Sequence, residues 1–373
     1  MRRRVLNKPR RLHLWLAGLL LVSAAALAPE RDVSGARQQQ TRPRRAAPPA
    51  RPQATPPADS GAGQSVGEDE VVKVDSLEVL LPVTVRDASG ALVNNLGPSD
   101  FRVFEEGREQ TLTGLATRQV PADVALLIDS SSSTAENFED FRRAALEFAS
   151  QLGEGDRVCL VKFDDRVELL QDWTQSRAQL RRSLARLSPG MFTRFHEALY
   201  LTAREQLKPT PRRRRALVIL TDGIDSRRGA VDQGSALKAL LESQAAVYVI
   251  SNTEIARRRK QAELDTLLSG DSSAQRINSL RIGDIREGLR VLDASEGGLA
   301  ALCSATGGRL YRPQSFDALG DLYREIADEL RHQYALYYRP LNQARDGGFR
   351  RVRVEVAGPG RQVSGRIGYY APR

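Results

Sequence analysis

DVALLIDSSSSTAEN, residues 123–137, decides how the chain is read. Val124 to Ile128 form an unbroken apolar run, the pattern of a strand buried on both faces within a parallel sheet. The run stops on Asp129 and drops into Ser130, Ser131, Ser132, Ser133 and Thr134. A core strand ending this way sets a carboxylate and a row of hydroxyls at its carboxyl end, where open parallel sheets hold their ligands.

Outward from that strand, the middle of the chain alternates strand and helix. ENFEDFRRAALEFASQL spaces Phe138, Phe141, Ala145, Phe148 and Leu152 by three and four, which predicts an amphipathic helix. DRVCLVKFDD and RVELLQDW read as strands joined by a tight turn at Asp164-Asp165. RAQLRRSLARL and RFHEALYLTAREQL read as helices, RRRRALVILTDG as a strand, SALKALLESQA as a helix and AVYVISN as a strand. GLAALCSATGG reads as a helix closed by glycines, RLYRP as a short strand and FDALGDLYREIADELRHQY as the last helix. Such alternation implies an α/β fold, a doubly wound and mostly parallel sheet with helices on both faces.

The flanks have a different period. VDSLEVLLPVTVRDASGALVNNL and DFRVFEEGREQTLTGL alternate with period two around turns at Asp87-Ala88-Ser89-Gly90 and Glu105-Glu106-Gly107. YALYYRPL, FRRVRVEVAG and QVSGRIGYYAP repeat that character at the far end. Either half-set alone would leave exposed edges. We therefore expect one small β-sandwich from residues 71–119 and 333–373, with the α/β part, residues 120–332, inserted between them. Residues 253–297 are read as a long insertion of mixed charge and weak periodicity. It leaves the carboxyl end of the AVYVIS strand, so it should overhang the binding edge.

Charge is distributed unevenly. The chain has 373 residues and a net charge of +10, but residues 1–60 hold 12 basic and 3 acidic side chains, which leaves 44 basic and 43 acidic in the remainder. The folded part is nearly neutral, which argues against a nucleic-acid partner. MRRRVLNKPRR followed by the apolar LHLWLAGLLLVSAAALA makes residues 1–28 a signal peptide or N-terminal anchor. Residues 29–70, rich in Pro, Ala, Arg and Gln, read as a disordered tether. The expected location is outside the cytoplasm: periplasmic, membrane-anchored through the N-terminus, or at the cell surface. Cys159 and Cys303 both fall in apolar patterns and read as small core residues rather than a disulfide.

The hydroxyl row gains meaning from two further loops. Asp129, Ser131 and Ser133 alternate as D-x-S-x-S beyond a strand end. Thr193 sits in PGMFTRFHEAL before a helix, and ALVILTDGIDS ends a core strand on Thr221, Asp222 and Gly223. If the two strands are neighbours, two carboxylates and three hydroxyls converge. Oxygen donors of this kind suit a hard divalent cation. Taken singly, the serines could be a helix cap and TDG a turn.

D-x-S-x-S, then Thr in a G-x-x-T-x-x-x-x-A context, then TDG resembles the metal-ion-dependent adhesion site of von Willebrand factor type A (VWA) domains, over residues 120–332. That resemblance implies a Rossmann-like doubly wound sheet and a site for Mg2+ or Mn2+. It implies ligation, direct or through water, by Asp129, Ser131, Ser133, Thr193 and Asp222, with Asp225 behind them. The family often has glycines just before the threonine; here Met191 and Phe192 separate Gly190 from Thr193, and the bulkier loop is expected to shift it. The flanks, VTVRDASGALVNNLGPSDFRVFEEG and SGRIGYYAP, are similar to exported bacterial VWA proteins of the acidobacterial VWFA-related type.

The expected function is divalent-metal-dependent binding of a protein partner that offers an Asp or Glu carboxylate. An enzyme is not expected. A serine nucleophile needs an oriented base, the only histidines are His13, His196 and His332, and G-x-S-x-G and H-E-x-x-H are absent. The other reading is a structural envelope-assembly protein that works through its β-domain, with a non-essential metal site.

Overall fold

The computed structural model describes residues 77–117, 120–131, 138–208, 213–226, 229–269 and 272–373. The chain divides into two compact units, Met1–Glu70 and Val71–Arg373, and all described residues belong to the second. The signal or anchor, the tether and Ser133 lie outside the described residues.

The α/β part is built on six strands in the order β10-β9-β8-β5-β6-β7. These are Leu310–Tyr311, Ala246–Ser251, Arg214–Thr221, Ala122–Asp129, Arg157–Phe163 and Val167–Thr174. All pairings are parallel except β6 with β7, the hairpin foreseen at Asp164-Asp165. The period of two explains the unbroken apolar runs. Val124, Leu126 and Ile128 of β5, with Val218 and Leu220 of β8, face one core. Ala125, Leu127, Leu217 and Ile219 face the other. Since both faces are covered, no position in these strands can be polar without a partner.

The first core is closed by α1 (Phe138–Gln151), α2 (Arg177–Leu184) and α8 (Leu319–His332), through Phe141, Phe148, Leu180, Tyr323 and Ile326. The second is closed by α3 (Phe195–Leu201), α4 (Gln233–Ser243) and α7 (Ser279–Thr306), through Phe195, Leu199, Leu240, Leu299 and Leu302. The doubly wound sheet expected from the sequence is therefore present. Cys159 and Cys303 are free and buried in the second core, where burial pushes both thiols well above their ordinary range.

Residues 253–297, read as a weakly periodic insertion, are helical, and the last of their helices continues into the one read from GLAALCSATGG. These helices are α5 (Thr253–Leu268), α6 (Ser272–Ile277) and a 28-residue α7 that runs through residue 297 without a break. The weak periodicity has a physical source. α5 and α7 bury only a small shared cluster, Leu264, Ile282 and Ile285, and hold together elsewhere by ion pairs such as Arg257 with Asp293 and Glu296. A helix pair supported by charge at its surface needs little apolar stripe.

The terminal strands make two four-stranded sheets, β13-β1-β11-β4 and β14-β12-β2-β3. In each, strands from both ends of the chain pair antiparallel. β1 (Val79–Arg86) pairs with β11 (Tyr334–Tyr338) and β13 (Gln362–Gly365), and β2 (Phe101–Glu105) with β12 (Phe349–Val356). β4 (Leu112–Ala116) extends the first sheet, and β3 (Arg108–Gln110) and β14 (Gly368–Tyr370) the second. Leu81, Val83, Phe101, Val103, Tyr338 and Tyr369 fill one core between them. Glu329 of α8 is buried and accepts hydrogen bonds from Thr84 and Arg86 of β1 and from Tyr248 of β9, which ties the sandwich to the α/β part.

Candidate metal centre

β5 and β8 are direct neighbours, in register from Ala122 with Arg214 to Ile128 with Leu220. The chain leaves β5 toward β6 on one side and reaches β8 on the other. The crevice between their carboxyl ends is thus a switch point of the sheet, the position where such folds bind ligands. Asp129 ends β5 and is completely buried. Thr221, at the end of β8, donates its hydroxyl to Asp129 Oδ2 at 2.7 Å and accepts from the Gly223 amide at 2.9 Å. The Ser131 amide donates to Asp129 Oδ1 at 3.0 Å.

Asp222 follows at once from Thr221, and the two carboxylates interact. Burial and the negative charge of Asp222 together push the Asp129 carboxyl up to about 7, against the donors from Thr221 and Ser131, which pull it down. The Asp222 carboxylate accepts from the Ile224 amide at 3.0 Å, and its main-chain carbonyl accepts from the Ser295 hydroxyl at 2.6 Å. Ser295 belongs to α7, and this hydrogen bond joins that helix to the Asp222 loop.

Thr193 is buried and its loop is tied to both strand ends. Gly190 donates its amide to the Ser130 carbonyl at 2.8 Å, and Thr193 and Ser226 exchange two hydrogen bonds of 2.9 Å. The bulk before Thr193 is absorbed in a specific way. The Met191 and Phe192 amides donate to the Asp165 carboxylate at 3.0 and 3.2 Å, and the Met191 side chain turns out, 76% exposed. Gly190 is required by contact: a Cβ there would lie 2.5 Å from Asp164. Asp164 is buried against Lys162 at 2.9 Å and accepts from the Ser130 hydroxyl at 2.9 Å.

Of the predicted residues, Asp129, Ser131 and Asp222 come together at adjacent strand ends, and Thr193 is held on a loop bonded to both. Asp225 accepts from the His196 amide at 3.0 Å, with the His196 ring 3.5 Å away, so it fixes the start of α3. Sequence reasoning missed Ser130, Asp164, Asp165, Ser226 and Ser295. The Asp164-Asp165 turn was visible, but its contact across 26 residues with the Thr193 loop had no local signal. Among the described residues no group of three or more His, Cys, Asp or Glu side chains forms a metal-holding cluster. The set assembled here is instead two carboxylates with hydroxyls. Its chemistry fits a hard cation: the donors are all oxygen, and a divalent charge would offset both the burial and the Asp222 charge that raise Asp129.

The family model for the von Willebrand factor type A domain matches residues 124–224. No curated protein matches the chain. Among solved structures, a von Willebrand factor type A protein from Catenulispora acidiphila is similar at 11% identity and a TM-score of 0.43, over 80% of this chain and 75% of that one. Proximal thread matrix protein 1 from the mussel byssus, in a form described as having a zinc-occupied MIDAS motif, is similar at 15% identity and a TM-score of 0.42, over 61% of this chain and 49% of its own. This chain thus spans about half the length of the mussel protein. The hypothetical protein BatB from Bacteroides thetaiotaomicron is similar at 19% identity and a TM-score of 0.40, over 56% of this chain and 99% of that one.

Proposed function

We propose that the chain is a divalent-metal-dependent binding module, and that Asp129, Ser131, Ser133, Thr193 and Asp222 hold Mg2+ or Mn2+ between the ends of β5 and β8. One observation carries this reading. The fully buried Asp129 carboxyl ends one core strand, and the half-buried Asp222, just past the end of the neighbouring strand, adds its negative charge to the burial that already disfavours ionisation of Asp129. Such an arrangement is costly unless a cation joins it. The match of the type A family over residues 124–224 supports it, since that span includes all five residues.

A cation held there supplies a positive centre to which a carboxylate oxygen from a partner protein can bind. The chain's residues then have separable tasks. Asp129, kept in place by the Thr221 hydroxyl and the Ser131 amide, is the fixed acceptor at the bottom of the crevice. Asp222 is set by its own loop and by Ser295. The Asp165 clamp and Ser226 position Thr193 from opposite sides. Binding rather than catalysis is the task this supports: His196 faces Asp225 and His332 meets the Asp328 carbonyl, so both described histidines are engaged away from a serine. The basic and apolar N-terminal sequence supports an exported location, with the module facing an extracytoplasmic partner. Among the described residues no helix is long and apolar enough to cross a membrane.

The test is capture from a native envelope extract with the full chain as bait, in Mg2+, in EDTA and as Asp222→Ala. A protein retained only by the unsubstituted chain in Mg2+ is the expected result. Capture indifferent to both changes would move the function to the β-sandwich, as in an envelope-assembly protein.

A further inference from the structure

Beside the candidate metal centre, α3, α4 and α7 enclose a cavity of about 210 Å³. Phe195, Leu199, Leu237, Leu299 and Leu302 make most of its lining, with His196 and Gln233 as the larger polar side chains. The lining also includes Gly223, the residue after Asp222, and Ser295, whose hydroxyl holds the Asp222 carbonyl. The cavity and the metal loop therefore share a wall. Gly223 makes that possible: its φ is +70°, and a Cβ there would lie 2.8 Å from the Leu299 side chain.

Size and lining narrow the occupant. Small-molecule and cofactor sites run to roughly 300–1,000 Å³, so this one is too small for them. A leucine-lined cavity of about 150 Å³ accepts benzene, so one Leu, Met or Phe side chain fits. Packed helices form the walls, so the space exists before anything enters.

Resting on the metal-dependent reading above, we propose that this cavity receives an apolar side chain of the same partner whose carboxylate reaches the metal. The recognised element is then an Asp or Glu with a Leu, Met or Phe within a few residues of it. The metal reads the acid, and the cavity selects among acidic partners.

Gly298 provides the test. It lies within α7 at the cavity wall, and a Cβ there would meet only Gln233 Nε2, at 3.7 Å. Gly298→Leu therefore fills the cavity from a position where a helix favours leucine over glycine. The full chain, unsubstituted and as Gly298→Leu, is applied to immobilised hexapeptides with one central Asp or Glu and every residue in turn at its neighbours, in Mg2+ and in EDTA. Ala301→Leu, at the same wall, serves as a second filling variant.

The expected result is Mg2+-dependent capture in which Leu, Met or Phe neighbours outperform Ala or Ser by about tenfold or more, as burial of such a side chain gives. Both filling variants should lose that preference and keep Mg2+-dependent capture of acidic peptides. Equal capture of apolar and Ala neighbours in Mg2+, or a preference unchanged by both variants, overturns the proposal and leaves the metal reading standing. An apolar preference that persists in EDTA and disappears in the variants breaks the link to the metal and contradicts that reading instead. If a segment of the chain itself fills the cavity, the variants will unfold at lower temperature than the unsubstituted chain, which also overturns the proposal.

Discussion

β5 carries a buried aspartate near each end, and the two are treated in opposite ways. Asp123, at the amino end, is 3% exposed and meets Arg157 at 2.7 and 2.9 Å and Arg213 at 2.7 Å. Asp129, at the carboxyl end, is completely buried and faces Asp222, with hydroxyl and amide donors around it. Where the fold needs a carboxylate for its own cohesion, it supplies guanidinium groups. Glu329 follows the same rule, with Arg86, Thr84 and Tyr248 as donors. The other end of β5 places a second carboxylate beside the first. The difference teaches that burial of an acid is not by itself a sign of function. The neighbouring charge is what separates a structural acid from one poised for a cation.

The comparison can be broken most directly at Asp222. Asp222→Ala should lower Mg2+ affinity by more than the ~10–100-fold that loss of an outer supporting group costs. Circular dichroism and thermal unfolding should show the fold retained, because the substitution removes a like charge from beside the buried Asp129. Asp123→Ala should do the opposite. We expect a loss of about 2–3 kcal/mol in denaturant unfolding, since two arginines lose their carboxylate, and no change in Mg2+ affinity. This lies just under the ~3–5 kcal/mol usual for breaking a buried pair, because the Arg157 side chain is 37% exposed.

A pH series sharpens the same contrast. In the unfolded chain an aspartate ionises near 3.9, whereas folding holds Asp129 protonated up to about 7. The native state therefore binds more protons between these values, and metal-free stability contributed by this residue falls as pH rises through that window. Asp129→Asn should remove the dependence and gain on the order of 1–2 kcal/mol above pH 7 in metal-free buffer. Saturating Mg2+ should flatten the curve of the unsubstituted chain. Equal pH profiles for the two chains in EDTA would show that Asp129 is not under this stress. The smallest effect is expected at Asp165. Asp165→Ala frees the Met191 and Phe192 amides and should weaken Mg2+ binding by about three- to tenfold through the Thr193 loop, with global unfolding little changed.

Much of this was legible in the sequence because it was written in local periods. The runs at 124–128 and 216–220 announce strands covered on both faces, and the spacing of Phe138, Phe141 and Phe148 announces a helix on one of them. Asp129, Ser131 and Asp222 could be picked out because each sits where a strand hands over to a loop, and Thr193 because it stands in the loop just before α3. What stayed hidden depends on long-range contact. Ser295 reaches Asp222 across 73 residues, and Asp165 reaches the Thr193 loop across 26 or 27. The continuity of α7 was hidden for another reason. Gly283, Gly288, Gly297 and Gly298 lower helix propensity along it, and its outer half buries little beyond Ile282, Ile285 and Leu292. Neither a capping signal nor an apolar stripe marks residue 297 as interior to a helix.

The central claim is that Asp129 and Asp222 share a cation, and calorimetric titration of Mg2+ into the metal-stripped full chain tests it most directly. The account predicts a single binding event that disappears in Asp222→Ala while Asp123→Gln retains it. Identical heats from the unsubstituted and Asp222→Ala chains, both folded, would contradict it.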